Sequence, residues 1–76
     1  MTRVEWATNL ARDDHWLAML SELRQAEIER ITSSGIEDIE TREDAYRRVK
    51  VYDGLKAHVD SLAATQSIKE RRWKIL

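Results

Sequence analysis

A chain of 76 residues with no cysteine and no proline has room for one small domain, and neither a disulfide nor a thiolate-bound metal can staple it. Charged side chains form 36% of it, yet the net charge is only −1, which argues against strong affinity for a polyelectrolyte. The charge is divided, however: residues 1–41 hold nine acids against four bases, and residues 42–76 hold nine bases against five acids.

Residues 1–12 read as a short N-terminal arm whose apolar members are Val4, Trp6 and Leu10. Asp13-Asp14 then supplies carboxylates suited to capping free amides and to complementing a helix dipole. A first helix is expected over about 14–32, with Trp16, Leu17, Met19, Leu20, Leu23, Ala26, Ile28 and Ile31 in one broad apolar stripe. Ser33-Ser34-Gly35 ends it, the glycine being free to take a left-handed C-cap. Ile36 and Ile39 can pin the acidic connection to the core, and Thr41 stands as the N-cap of a second helix with an acid three residues on. That helix is expected over about 42–66, on a seam of Ala45, Val49, Tyr52, Leu55, Val59 and Leu62. Gly54 falls inside it and suits an exposed position better than a close helix approach. Residues 67–76 form an apolar-basic tail that either extends the helix or leaves it.

Chemistry is thinly represented. There is no phosphate-binding glycine loop, nucleophile elbow or zinc signature, and consecutive Asp13, Asp14 and His15 diverge on a helix. His58 reads as a solvated or partly packed imidazole. The expectation is a non-enzyme with no cofactor and no metal. Two rival readings are a small regulator that inhibits one target protein and a nucleic-acid-binding hairpin, the latter carried by Arg42, Arg47, Arg48 and Lys50 and by Lys69, Arg71, Arg72 and Lys74 around Trp73. Against it, those bases can pair with Glu22, Glu27, Glu29, Glu37, Asp38 and Glu40. Nothing approaches the ~20 apolar residues of a membrane span, and the residues after Met1 do not resemble a secretory signal.

Two segments together carry a resemblance: a Trp-led first helix, His15-Trp16-Leu17-Ala18-Met19-Leu20-Ser21-Glu22-Leu23-Arg24, and an Arg-bearing second, Tyr46-Arg47-Arg48-Val49-Lys50-Val51-Tyr52-Asp53-Gly54-Leu55. This pattern, over residues 15–63, resembles small helical-hairpin proteins encoded in the head-assembly gene clusters of tailed bacteriophages. The resemblance implies a role in virion assembly, offers no active residues, and departs from the shorter members in its long tail. The expected location is the cytoplasm, or the virion if the chain is phage-encoded.

The expected architecture is therefore an all-α, antiparallel two-helix hairpin over 13–66, with an arm before it and a tail after it. Trp16, Leu20, Leu23, Ile28 and Ile31 would pack on Val49, Tyr52, Leu55, Val59 and Leu62. A hairpin this thin buries little apolar surface against its chain entropy, so a second copy or another protein, such as a virion protein, should complete it. Trp6, Trp73, Ile75 and Leu76 lie outside both stripes, so they either fold back to staple the ends of the bundle or, with Arg71 and Arg72, are the candidate partner-binding residues.

Overall fold

The computed structural model describes the backbone of residues 1–75 and the side chains of residues 1–65. The chain is all-α: α1 spans Arg3–Ala11, α2 spans Asp14–Ser33 and α3 spans Ile39–Ile75. Where a two-helix hairpin preceded by a short arm was expected, the described residues form three helices.

α1 forms because its first turn is closed twice. Thr2 accepts the Glu5 amide on its hydroxyl, and the Glu5 carboxylate accepts the Thr2 amide in return, a complete capping box. The helix stops at Arg12, and Asp13 turns extended to cap α2, its carboxylate taking the Trp16 amide at 3.0 Å. The expected start of α2 is thus the observed one.

The connection after α2 differs from expectation. No glycine has positive φ; Ser34 becomes extended instead and donates from its hydroxyl to the Ile31 carbonyl at 2.7 Å. The Gly35 amide donates to the Asp38 carboxylate at 3.0 Å, and the Arg42 guanidinium binds the Gly35 and Ile36 carbonyls. Ser34 thus serves the Ile31 carbonyl near the end of α2, and Arg42 reaches from α3 to hold the loop carbonyls beyond it. α3 begins at Ile39 rather than after Thr41, because the Asp38 carbonyl already accepts the Arg42 amide at 3.2 Å. Ile36 and Ile39 do not pin the turn to the core; they stand 92% and 56% exposed. At its other end α3 continues through Ile75, so the backbone of residues 67–75 of the expected tail is helical.

α3 is the spine. Its 37 residues rise ~55 Å, which accounts for most of the 60 Å long axis. Both α1 and α2 pack on α3 and hardly touch each other. Ala7, fully buried on α1, therefore lies against the spine. The other buried apolar residues among those described are Leu20, Ala45, Val49 and Val59.

Candidate functional site

The α2–α3 contact is antiparallel, and two ion pairs fix its register. Arg24 meets Asp53 with Nε 3.0 Å from Oδ1, and Glu27 meets Arg48 with Oε2 2.9 Å from Nε. On α2 the inward line runs through Leu20, Arg24, Glu27 and Ile31. On α3 it runs through Ala45, Val49, Tyr52 and Val59. Of the expected packing residues, Leu20, Val49 and Val59 are buried, and Trp16, Ile28, Ile31, Tyr52 and Leu62 are half-buried. Leu23 and Leu55 stand at the margin of the contact, 41% and 46% exposed. Each is one helical step off the inward line, where Arg24 and Lys56 take the places an uninterrupted apolar seam would give to leucine.

Glu27 is the only buried charged residue among those described, at 4% exposure. Its second oxygen accepts from Arg30 Nη1 at 2.7 Å. Arg48 Nε approaches Oε2 closely but with its N–H poorly aimed, so neither atom gains a well-formed hydrogen bond there. Attraction across the helix interface, more than a directed bond, holds this pair. The same contact raises the proton affinity of the Arg48 guanidinium above its ordinary value, against a smaller lowering by partial desolvation.

The basic cluster at the start of α3 is largely occupied. Arg42 holds the loop carbonyls, Arg47 reaches Asp44 at 3.2 Å and Glu43 at 3.7 Å, and Arg48 holds Glu27. The Lys50 ammonium lies 5.3 Å from the Tyr46 ring centroid. Of the acids expected to pair with these bases, only Glu27 does so among the described residues, with Arg48, while Arg47 uses acids of its own helix. Lys69, Arg71, Arg72, Trp73, Lys74, Ile75 and Leu76 have side chains outside the described residues. Trp6 stands on α1 with half its surface exposed.

The main surface feature was not read from the sequence as a unit. Met19 is 47% exposed, Leu23 41%, Val51 64% and Leu55 46%. Successive helical residues turn by about 100°, which puts Met19, Leu23 and Ala26 on the Glu27 side of the α2 inward line. The same geometry puts Val51, Leu55 and Leu62 on the Arg48 side of the α3 line. The Glu27–Arg48 pair shows that these two sides adjoin, so the two rows share one face of the hairpin. Arg24 and Asp53 mark the opposite face. The signal in the sequence was the spacing 51, 55, 62, a second row offset by one step from the expected seam.

Two open depressions lie elsewhere. One of about 580 Å³ is lined by Ile31, Arg42, Glu43, Tyr46 and Arg47, and one of about 260 Å³ by Leu17, Leu20, Ser21, Arg24, Tyr52, Asp53 and Lys56. Their basic side chains are engaged in the contacts above or lie among acids. Among the described residues no three His, Asp or Glu side chains gather as metal ligands, and no helix is long and apolar enough to cross a membrane. No protein-family model, curated protein or solved structure matches this chain.

Proposed function

We propose that this chain is a non-catalytic structural protein that works by docking its helical faces onto other protein surfaces. One observation carries the reading: the two-row face of Met19, Leu23, Val51 and Leu55 leaves four large apolar side chains in water on a scaffold with little core of its own. Isolated exposed apolar residues are ordinary, whereas a contiguous group on one face favours an interaction site. The resemblance of residues 15–63 to phage head-assembly hairpins extends the proposal to a virion or assembly component, with Trp6 and the end of α3 as further contacts. The occupied state of Arg42, Arg47 and Arg48 favours protein over nucleic acid as the partner.

The test is affinity capture by the full chain and by a truncation lacking residues 68–76, alongside a salt titration of binding to mixed oligonucleotides. Specific retention of a protein that the truncation loses while staying helical supports docking through the end of α3. Tight oligonucleotide binding that weakens steeply with salt would replace this reading with the nucleic-acid one.

A further inference from the structure

We infer that the occupant of the Met19–Leu23–Val51–Leu55 face is a second copy of this chain, packed face to face to give a four-helix core. The inference rests on the docking function proposed above and names its partner. It begins from area. The chain exposes 6261 Å², whereas a compact monomer of 8.9 kDa exposes about 4,800 Å². The radius of gyration is 17.1 Å, against about 11 Å for a compact chain of this length. The surplus of roughly 1,400 Å² per chain exceeds the ~800 Å² per partner that a standard stable interface removes.

The arrangement of the face selects a copy over an unrelated surface. Each helix contributes a pair of apolar side chains four residues apart, Met19 with Leu23 and Val51 with Leu55. Their midpoints, Ser21 and Asp53, lie nearly level, since Arg24 meets Asp53 and Glu27 meets Arg48. A two-fold axis crossing both helices at that level sets Leu23 of one copy against Met19 of the other, and Val51 against Leu55. The patch is its own complement, as a two-fold interface requires. Arg30 and Arg48 sit on the same face toward the α2–α3 turn. The antiparallel relation carries the two copies of this cationic pair to opposite ends, where they do not oppose each other.

The experiment is light scattering on the full chain over a dilution series, with helicity recorded on the same samples, for the native sequence, Leu23→Glu, Val51→Glu and the off-face variant Tyr46→Ser. A mass near twice 8.9 kDa is expected, with the dissociation constant raised at least tenfold by either glutamate and unchanged by Tyr46→Ser. Because a glutamate variant that loses the dimer could also lose its helices, a second measurement uses the absence of native cysteine. Leu23→Cys and Val51→Cys should be joined between chains by a short bis-maleimide, and Tyr46→Cys should not. A helical monomer at every concentration overturns the inference, and so does a dimer untouched by both glutamates or cross-linked only through Tyr46→Cys. If that monomer still retains a different protein, the docking function stands and only the second copy falls.

Discussion

At the scale of single residues, Glu27 governs the contact between α2 and α3. A carboxylate at 4% exposure loses its hydration and regains it only in part from Arg30 and Arg48. Such groups specify register more than they add stability. Glu27→Leu is therefore expected to leave the urea midpoint unchanged or raise stability by ~1–4 kcal/mol. Arg48→Ala should lower the midpoint, because it strips one partner from a buried charge, and Glu27→Leu in the same chain should restore it. The pH behaviour follows from the sign of the shift. Arg48 has its proton affinity raised above the ordinary arginine value by Glu27, so its stabilising effect is complete below the unfolded value and is lost only on passing the higher folded one. The difference in midpoint between the native chain and Arg48→Ala should thus stay flat from about pH 7 to 10, where arginine remains protonated. A difference that fades across that window would mean another group carries the effect. Arg24–Asp53 differs, since both side chains are nearly half exposed; such pairs contribute ~0–1 kcal/mol, and Asp53→Asn should scarcely move the midpoint.

At the scale of elements, caps decide where helices exist. α1 was legible in principle from Thr2 and Glu5, which have capping-box spacing, and from Val4, Ala7 and Leu10 on one side. Reading only the large apolar side chains hid the stripe, because its fully buried member is Ala7. Thr2→Ala should cost ~1 kcal/mol and speed amide exchange across Arg3–Ala11 while leaving the Ala45–Val59 stretch protected. The start of α3 was misplaced for a comparable reason. Thr41 and Asp38 are both good capping residues, and the backbone of Asp38 wins because its carbonyl receives the Arg42 amide. Gly54 has open space where a Cβ would stand, with nothing within 4 Å. Gly54→Ala should therefore stabilise the chain by ~1 kcal/mol through helix propensity alone; a loss measured in urea would instead point to a contact made only in an assembly.

At the scale of the whole molecule, one long helix carries two shorter ones along its length, and few residues are enclosed. Among the described residues the buried apolar set is Ala7, Leu20, Ala45, Val49 and Val59, two of them alanines. So small a core makes cooperative stability depend on mass action. The thermal midpoint should accordingly rise with protein concentration, and a midpoint constant over a hundredfold range would show that the single chain is sufficient. The sequence alone determined what depends on neighbours a few residues apart: helical periodicity, the Asp13 cap, the break at Ser34-Gly35 and hence the all-α class. It could not decide which of two adjacent apolar rows turns inward. Leu20 and Leu23, like Tyr52 and Leu55, lie only about 60° apart on a helix of 3.6 residues per turn, and hydrophobicity is the same on either side. Only the tertiary structure chose, by docking α1 on the spine and setting the antiparallel register in which Glu27 faces Arg48. That register turns Leu20 and Val49 inward and leaves Met19, Leu23, Val51 and Leu55 facing out.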